Sequence, residues 1–404
     1  MICDVQAPVA LGSEMGLMTI AIAMPHRIFI TVADPSGDQH AALLIHSLRA
    51  LSPDVVIEAF GGPKMRAAGA AVHVDTVANA AMGWRGALRA REVAGWINWL
   101  RDYYAREKFD LHICCDSWSM NWHFARLAKE LGTPTLYYIA PQAWASRERR
   151  VLKLRQYVDQ LACILPFEEA FFCRHEVNAK FVGHPLFDEL PPRAGWPVRV
   201  FEPARPVIGL LPGSRTSIAE ANFPRLLGVA RQIREQIPGA TFLVPSTPQT
   251  HDVVQKLLAT QRLPVEVRQD AFDDVVPRCD LVITVSGTAA LHTAAFGVPL
   301  MVVYHGNPLL WHLVGRWVVK TRTYSLVNLL SDSPEKIVPE FIPWYGSTQP
   351  VADYALDLLR HPEKLDAQRQ QLRRMIGKLD APGASMNVAR LAMSMVQSRP
   401  AGVS

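Results

Sequence analysis

The order of its segments constrains this chain of 404 residues most strongly. Short apolar runs alternate with longer amphipathic segments, a pattern that favours parallel sheets with helices on both faces. In the first half the pattern predicts strands at 27–33, 55–60, 111–115, 135–139, 160–164 and 179–182. It then restarts, with strands at 207–211, 241–245, 265–268, 281–285 and 300–303. The sequence therefore predicts an α/β protein with two Rossmann-like domains, whose parallel sheets face a cleft between the domains.

A proline-rich stretch separates the two series of strands. Five prolines lie between 191 and 206, where they exclude a regular helix or strand. We therefore predict a first domain at 24–190, a linker at 191–206, a second domain at 207–383, and a C-terminal helix with a tail at 384–404. Residues 1–23 are expected to be a disordered extension or to precede the true start codon, because Met24 stands just before the first strand.

Composition excludes several classes of protein. The formal net charge is only +5 and no RNA-binding signature accompanies it, so nucleic acid is not an expected partner. The six cysteines show no CxxC spacing, and we expect neither a metal nor a cofactor. No apolar stretch approaches the roughly 20 residues of a membrane span. The first residues also lack the basic start of a signal peptide, so a cytoplasmic protein is predicted.

A strand-to-helix turn in the second half has the composition of a phosphate site. The predicted strand 207–211 runs into the turn Pro212-Gly213-Ser214-Arg215, and a helix is expected from about residue 217. Its free N–H groups, the turn and the guanidinium would then converge on a diphosphate. A surface turn with a solvated arginine explains the same residues. The second junction, Ser286-Gly287-Thr288, favours the phosphate interpretation, because two such junctions can hold two parts of a nucleotide diphosphate.

Carboxylates end two of the predicted strands in the first half. Asp34 follows the first strand and Asp116 the third, so both are expected at the edge that faces the cleft. An unpaired carboxylate there is a candidate general base, although a helix cap would explain Asp116 equally well. Asp38 is expected to cap the helix that it begins.

Two segments combine basic residues with an uncertain surface role. Segment 82–104 carries Trp84, Trp96 and Trp99 among arginines, so it is either a membrane-docking helix or an amphipathic core helix. The basic run 147–155 is expected to be a solvated helix face, with an anionic partner as the alternative.

Further short motifs complete the pattern, and their order is more specific than any one of them. They are Asp34-Pro35-Ser36-Gly37-Asp38, Gly62-Pro63-Lys64-Met65, Met82-Gly83, Asp116 with Asn121, Pro141-Gln142-Ala143-Trp144-Ala145, Leu165-Pro166-Phe167-Glu168, Gly183-His184-Pro185, Leu211-Pro212-Gly213-Ser214-Arg215, Ser286-Gly287-Thr288-Ala289 and Leu326-Val327-Asn328-Leu329-Leu330. With these motifs in this order, the chain resembles the lipid-A-disaccharide synthase family. Its members are inverting glycosyltransferases with a two-domain GT-B fold.

The resemblance implies a reaction and its partners. The second domain would hold UDP-2,3-diacylglucosamine, and the first would hold 2,3-diacylglucosamine 1-phosphate (lipid X), to which the sugar is transferred with release of UDP in lipid A biosynthesis. Peripheral contact with the anionic inner face of the inner membrane, and a monomer or homodimer, are also implied. Two alternatives stay open. One is a GT-B enzyme for another nucleotide sugar, such as a 2-epimerase, and the other is an inactive nucleotide-sugar-binding homologue.

The resemblance also assigns residues to this reaction. Asp116 would be the catalytic base, with Asp34 in the place of a cleft glutamate. The implied donor site comprises Gly213, Ser214, Arg215, Ser286, Gly287, Thr288, His292 and Asn328, and the implied acceptor side comprises Ser36, Met82, Asn121, Gln142 and His184. No metal site is implied. The chain departs from the family at His292, where a glutamate is expected to bind the ribose, and also at Ser119, Ile218 and Pro343.

Overall fold

The first half of the chain forms a parallel sheet of seven strands. The structure is a computed structural model that describes residues 25–78, 86–145, 149–190, 200–305, 323–331, 333, 335–379 and 382–398, with only the backbone described for 86–90. The strands are β1 (Arg27–Thr31), β2 (Val56–Gly61), β3 (Ala71–Asp75), β4 (Leu111–Cys115), β5 (Thr135–Tyr138), β6 (Gln160–Cys163) and β7 (Ala179–Phe181). They lie in the order β3-β2-β1-β4-β5-β6-β7. The central strands β1 and β4 are buried on both faces, because helices cover both sides of the sheet.

Helices on the two faces of this sheet enclose two separate apolar clusters. The helices are α1 (Pro35–Leu51), α2 (Pro63–Ala67), α3 (Gly86–Arg106), α4 (Trp118–Glu130), α5 (Arg150–Tyr157), α6 (Pro166–Cys173) and α7 (Leu186–Glu189). One cluster contains Leu44 and Ile45 of α1, and the other contains Leu100 of α3 and Phe124 of α4. Prolines stand in the first turns of α1, α2 and α6, where a missing N–H leaves no helical bond unmade.

The second half repeats the design with a parallel sheet of six strands. The strands are β8 (Val207–Leu211), β9 (Thr241–Ser246), β10 (Val265–Gln269), β11 (Leu281–Val285), β12 (Leu300–Val303) and β13 (Glu340–Phe341), in the order β10-β9-β8-β11-β12-β13. The helices are α8 (Thr216–Gln236), α9 (Pro248–Leu258), α10 (Phe272–Val275), α11 (Thr288–Ala295), α12 (Leu326–Leu329), α13 (Gln349–Arg360) and α14 (Pro362–Leu379), with a 3₁₀ turn at Val276–Arg278.

Each sheet reverses its strand order at one place. In the first sheet β1 lies between β2 and β4, and in the second β8 lies between β9 and β11. The turns that follow the two neighbouring strands leave the carboxyl edge side by side, which is where open α/β sheets bind ligands. In the first sheet these turns carry Asp34 and Asp116, and in the second they carry Gly213 and Ser286.

The last described helix returns to the first half. Helix α15 (Ala384–Gln397) packs against α1, and its Val388 and Ala392 are fully buried in the cluster that α1 helps to form. Its start is held by Asp188 of α7, whose carboxylate accepts hydrogen bonds of 2.6 to 3.1 Å from the N–H groups of three successive residues, Gly383, Ala384 and Ser385. The chain therefore passes between the two halves twice. Asp188, just before the first crossing, binds the residues that follow the second.

The predicted fold class is confirmed, since both halves are Rossmann-like and their sheets are parallel. Eleven strands were expected, and their ends differ from the observed ones by at most two residues. The sequence missed β3, whose residues alternate between exposed and half-exposed at the sheet edge, and β13, which is two residues long. Residues 1–24, 191–199 and 399–404 lie outside the described ones, and the domain boundaries stay predictions. Within the described residues, no helix is both long and apolar enough to cross a membrane.

Candidate active site

Asp116 stands at the carboxyl end of β4, and its backbone is held from several sides. Its N–H donates to the carbonyl of Tyr138 (2.9 Å), while its carbonyl accepts from the Tyr137 hydroxyl (2.7 Å) and the Asn121 side-chain amide (2.9 Å). Its φ of +51° lies in the left-handed region, which costs a residue with a side chain on the order of 1–3 kcal/mol. The three hydrogen bonds offset that cost and fix the position from which the carboxyl projects.

The electrostatic surroundings of Asp116 suit a base that works near neutral pH. Burial, and then the negative charge of Asp34, raise the pKa of the Asp116 carboxyl to about 6. The backbone N–H of Ser117 and the charges of His40 and Arg215 lower the same pKa. At pH 7 the carboxyl is therefore mostly ionised, yet it is more basic than an ordinary aspartate, as proton abstraction requires.

Asp34 lies at the edge of the sheet where the sequence predicted it, and it has a structural role there. Its Oδ1 accepts from the backbone N–H of Gly37 (2.8 Å) and from the Ser36 hydroxyl (2.9 Å), so it is the N-cap of α1. Its Oδ2 accepts from the hydroxyl of Ser117. Asp34 thus ties the turn after β1 to the turn after β4, and its charge acts on Asp116 from a fixed position.

Asp38 is a helix cap, but the expectation that it caps its own helix is wrong. Its buried carboxylate accepts from the backbone N–H groups of Gly62 (2.9 Å), Lys64 (3.0 Å) and Met65 (3.1 Å), which begin α2. The cap of α1 is Asp34, four residues earlier. A carboxylate one turn inside α1 reaches the neighbouring loop, because β1 and β2 lie side by side.

Asn121 is buried, and its side-chain amide forms hydrogen bonds inside the protein. Its Nδ2 donates to the carbonyls of Thr31 (3.1 Å), Cys115 (2.9 Å) and Asp116 (2.9 Å), and its Oδ1 accepts from the Thr31 hydroxyl (2.8 Å). The side chain is 0% exposed, so these hydrogen bonds lie inside the protein, and its implied place on the acceptor side stays a prediction. Asn121 holds the ends of β1 and β4 together under the candidate base.

Two core residues that sequence reasoning missed continue this network. Because the Thr31 hydroxyl donates to Asn121, it accepts from Nε2 of His112 (3.2 Å), and the Tyr104 hydroxyl donates to Nδ1 of the same ring (2.7 Å). Burial lowers the pKa of His112 to about 3, so the ring is neutral and can donate at one nitrogen and accept at the other. The only signal in the sequence was His112, a polar residue inside an apolar strand, and it does not reveal its partner Tyr104 on α3.

The turn after β8 has the form predicted for a phosphate site. Helix α8 begins at Thr216, directly after the extended residue Arg215, so its first N–H groups have no helical partner. Gly213 has a φ of +115°, and a Cβ there would lie 2.6 Å from Cγ2 of Ile218, so the position requires glycine. Ser214 and Arg215 are exposed, and the Arg215 guanidinium forms no hydrogen bond or ion pair with the described residues.

The turn after β11 presents a second set of free N–H groups. Gly287 is the N-cap of α11 and Thr288 its first residue, and both are exposed. A Cβ on Gly287 would meet nothing within 4 Å among the described residues, so open space lies in front of the turn. The Ser286 hydroxyl donates to the carbonyl of Tyr324 (2.9 Å) and thereby supports the turn. Since β8 and β11 are neighbours, the two sets of N–H groups can share one anion.

His292 lies one turn into α11, between two aromatic rings. It stacks on Phe272 (centroids 4.3 Å apart) and Phe296 (5.3 Å), and its Nε2 is 2.9 Å from the Asp273 carboxylate. The Asp273 side chain is 45% exposed. The residue at which the resemblance led us to expect a carboxylate on α11 thus has a carboxylate beside it, on α10. This contact could not be predicted from the sequence, because nothing local links residues 273 and 292.

Asn328 is also used inside the protein. Its Nδ2 donates to the Val338 carbonyl (2.8 Å) and to Glu340 Oε1 (2.9 Å), and its Oδ1 accepts from the Val338 N–H (2.9 Å). Glu340 in turn accepts from the N–H of Ser325 (2.8 Å), which begins α12. The amide thereby fixes the segment that supports Ser286, and the donor contact implied for Asn328 stays a prediction.

The remaining acceptor-side residues differ in exposure. Gln142 and Ser36 are exposed, whereas Met82 lies outside the described residues. His184 is 7% exposed, and its Nδ1 accepts from the Leu186 N–H (3.2 Å), so the neutral ring carries its proton on Nε2. Burial is the main reason that the pKa of His184 falls to about 4. Among the described residues, no three His, Cys, Asp or Glu side chains form a metal-binding group.

A buried carboxylate makes the stability of the first half depend on pH. Glu168 is 1% exposed and accepts from the Trp144 indole N–H (3.0 Å) and the Leu165 N–H (3.2 Å). Burial raises its pKa from 4.5 to about 7, so its stabilising effect is complete below pH 4.5 and is lost as the pH rises through 7. In the wild type, the free energy of unfolding measured in urea should fall between pH 5 and pH 8. In Glu168→Gln this fall should be smaller by about 1–3 kcal/mol.

Glu169→Gln is the matched control for this experiment. Glu169 is the next residue of α6, but its carboxylate is only partly buried and accepts from the Phe181 N–H (2.8 Å). Its variant should follow the wild-type pH dependence. Equal slopes for all three proteins would mean that Glu168 does not titrate in this range.

The two parallel sheets, with the candidate base at the carboxyl edge of one and two free helix starts at the carboxyl edge of the other, have the architecture of a GT-B protein. Solved structures of low identity share this fold. The MurG of Acinetobacter baumannii has 13% identity and a TM-score of 0.54, covering 92% of this chain and 100% of that one. The UDP-GlcNAc 2-epimerase of Neisseria meningitidis has 12% identity and a TM-score of 0.56, with the same coverage.

A family model described as lipid-A-disaccharide synthetase matches residues 28–392. The lipid-A-disaccharide synthase of Nitrosococcus oceani is 35% identical over 381 residues, which cover 93% of this chain and 97% of the relative. The chain belongs to the lipid-A-disaccharide synthetase family, so the resemblance predicted from the order of its motifs is confirmed. It is accordingly a hexosyltransferase with sugar-nucleotide and lipid substrates.

Proposed function

We propose that this chain joins UDP-2,3-diacylglucosamine to 2,3-diacylglucosamine 1-phosphate, forming the lipid A disaccharide with inversion at the transferred sugar and releasing UDP. The observation that carries the proposal is the pairing of a base with a leaving-group site. Asp116, a carboxyl with a pKa near 6, belongs to the first half, and Arg215 of the second half lies close enough to lower that pKa. The names of the relatives support the choice of substrates.

In the proposed reaction, Asp116 takes the proton of the acceptor hydroxyl while that oxygen attacks C1 of the transferred sugar. The transition state has oxocarbenium character, and a positioned base contributes about 10²–10⁴-fold. Taking up the proton neutralises Asp116 beside the fixed charge of Asp34, which removes a like-charge repulsion.

Negative charge builds on the departing UDP during the same step. Arg215 and the free N–H groups at Thr216 and Thr288 are assigned to the diphosphate, because contacts that strengthen as charge develops lower the barrier. Asp273 is assigned to the ribose hydroxyls, with His292 holding its carboxylate at 2.9 Å. In this assignment the Asp273 carboxylate, from another helix, replaces the glutamate that the family would have in the place of His292.

The acylated substrates put the proposed reaction at the cytoplasmic face of the inner membrane, with the protein bound peripherally. Helix α3 is assigned to the contact on one face only. Trp99 is 36% exposed, whereas Leu100 and Tyr104 are buried in the core. In this assignment the inner face of α3 packs in the core and its outer face contacts lipid, so it draws on both interpretations of segment 82–104.

The proposed function is tested by incubating the purified chain with both substrates in micelles. Disaccharide 1-phosphate plus UDP supports it. Release of another sugar product would assign the chain to a different nucleotide-sugar reaction, and UDP binding without turnover would make it a binding protein.

Arg215→Ala should weaken the affinity for UDP roughly 10- to 100-fold, the effect of losing a charge-assisted hydrogen bond. Isothermal titration calorimetry with UDP measures it. Arg231→Ala is the control, since Arg231 lies on the same helix and donates to Gln261 (2.7 Å). Unchanged UDP affinity in Arg215→Ala would reject the assignment of this guanidinium to the diphosphate.

A further inference from the structure

Two motifs that no step of the proposed reaction uses meet at the carboxyl edge of the first sheet. Segment 141–145 follows β5, and segment 165–168 follows the neighbouring strand β6. The Trp144 indole N–H in the first segment donates to Oε1 of Glu168 in the second (3.0 Å). We call residues 139–145 the β5 loop, and the hydrogen bond between Trp144 and Glu168 its latch.

The β5 loop begins at a strained residue beside the candidate base. Ile139 has a φ of +67°, in the left-handed region that a β-branched residue adopts only under constraint. The residue before it, Tyr138, accepts a hydrogen bond from the N–H of Asp116 (2.9 Å). Such a conformation persists only where the surrounding structure enforces it, so contacts farther along the loop are needed to hold it.

The β5 loop presents a single exposed side chain, that of Gln142. Residues 140–141 and Ala143, on its two sides, are buried. Four steps of chain separate Gln142 from Tyr138, so its Cα lies within about 15 Å of the residue that binds the Asp116 N–H. The Gln142 side-chain amide forms no hydrogen bond with the described residues, so it can both donate to a ligand and accept from one.

Glu168 contributes to the latch through its carboxyl group and not through its bulk. Its side chain is buried, and Oε2 accepts from the Leu165 N–H (3.2 Å), which fixes the carboxyl group at the start of α6. Burial disfavours the charged form of this group, so an apolar side chain would fill the space at lower cost. An apolar side chain, however, cannot accept from the indole N–H of Trp144.

We propose that Trp144 and Glu168 are positioning residues for the acceptor: their hydrogen bond holds the β5 loop in the shape that presents Gln142 to the acceptor sugar at Asp116. This rests on the proposed function, which supplies an acceptor with an amide-linked acyl chain. The carboxamide of Gln142 can donate to such an amide and accept from it. A loop that is held before the acceptor arrives also loses less freedom on binding.

The test measures binding of 2,3-diacylglucosamine 1-phosphate by equilibrium dialysis in neutral micelles, and binding of UDP by calorimetry. Trp144→Phe keeps a ring against Phe167 (centroids 5.1 Å apart in the wild type) but loses the N–H, and Glu168→Met keeps the length of the side chain but loses the acceptor oxygen. Both variants should weaken acceptor binding about three- to tenfold and leave UDP affinity unchanged. Glu168→Gln, whose amide oxygen can still accept from the indole, should bind the acceptor nearly as the wild type does. Trp122→Phe is the matched control, because Trp122 lies on α4 against Lys153.

Gln142→Ala shows whether the latch acts through the β5 loop. It should weaken acceptor binding in the wild type but add little in Trp144→Phe, where the displaced amide has no contact left to lose. Equal effects in the two backgrounds, or an unchanged acceptor affinity in Trp144→Phe, overturn the proposal. An equal loss of UDP affinity also overturns it, because the latch would then support the fold in general. If Glu168→Met does not fold, Trp144→Phe gives the answer alone.

Failure of the proposed function gives a different result. Dialysis needs no turnover, so a selective loss of acceptor affinity supports the latch even where no disaccharide forms, and the missing disaccharide bears on the proposed function alone. Disaccharide formation with unchanged acceptor binding in Trp144→Phe overturns the latch alone. A wild-type protein that does not bind the acceptor overturns both.

Discussion

Replacing Asp116 with asparagine lowers kcat about a hundredfold or more and leaves UDP affinity nearly unchanged. The amide has the size of the carboxylate, and the backbone contacts of Asp116 do not involve its side chain, so the turn after β4 keeps its shape. What the variant loses is the ability to take a proton. Steady-state kinetics of disaccharide formation, with calorimetry for UDP, measures both quantities.

The pH profile and a matched variant sharpen this test. In the wild type, kcat/KM should fall below about pH 6 as Asp116 becomes protonated, because its pKa is about 6, and the asparagine variant should lack that limb. Asp110→Asn makes the same change at the opposite end of β4, where the carboxylate accepts from the Arg27 N–H (2.8 Å). That variant should keep its kcat, and a near-normal kcat in Asp116→Asn would remove Asp116 from the role of base.

Deleting residues 384–404 should prevent the first half from folding, although the deletion touches none of its strands. Helix α15 buries Val388, Ala389, Ala392, Met393 and Val396 against the cluster that contains α1. At about 1–3 kcal/mol for each larger side chain, their loss removes on the order of 5 kcal/mol, comparable to the whole stability of many domains. Insoluble expression, or loss of the cooperative unfolding transition, is the expected result.

Two milder variants are controls for this prediction. Removing only 399–404 leaves α15 complete and should have little effect on unfolding. Asp188→Ala keeps the helix but removes the acceptor of three N–H groups, and should lower the free energy of unfolding by about 1–3 kcal/mol. A stable, monomeric chain without 384–404 would show that the first half closes its core without α15.

The sequence predicted those features that depend on local order. Strands 111–115 and 207–211 were bounded correctly because each is an uninterrupted apolar run followed by a polar turn. The placement of Asp34 and Asp116 at the cleft-facing edge of the first sheet followed from the rule that open α/β sheets bind ligands at the carboxyl ends of their strands. Gly213 and its turn were found for the same reason, since the residues of one strand-to-helix junction are consecutive.

The features that the sequence missed are contacts between distant segments. Asp38 could not be linked to the N–H of Gly62, nor Asp273 to His292, without knowing which loops lie side by side. Polar residues were also assigned outward by default. Asn121 and Asn328 belong to motifs next to the predicted cleft, but both side chains are buried. Because buried polar groups form hydrogen bonds within the protein, their amides bind neighbouring backbone and side-chain atoms.

The return of α15 to the first sheet sets an order of maturation during synthesis. The ribosome delivers β1 to β7 first, yet the face of α1 that packs against α15 lacks its cover until residue 397 has emerged. At about 5–20 residues per second, the roughly 200 residues between α7 and the end of α15 take about 10–40 s. The second half has its whole sheet and its own helices before that moment. The second half can therefore finish folding first, and the first half depends on residues that are made after it, up to residue 397.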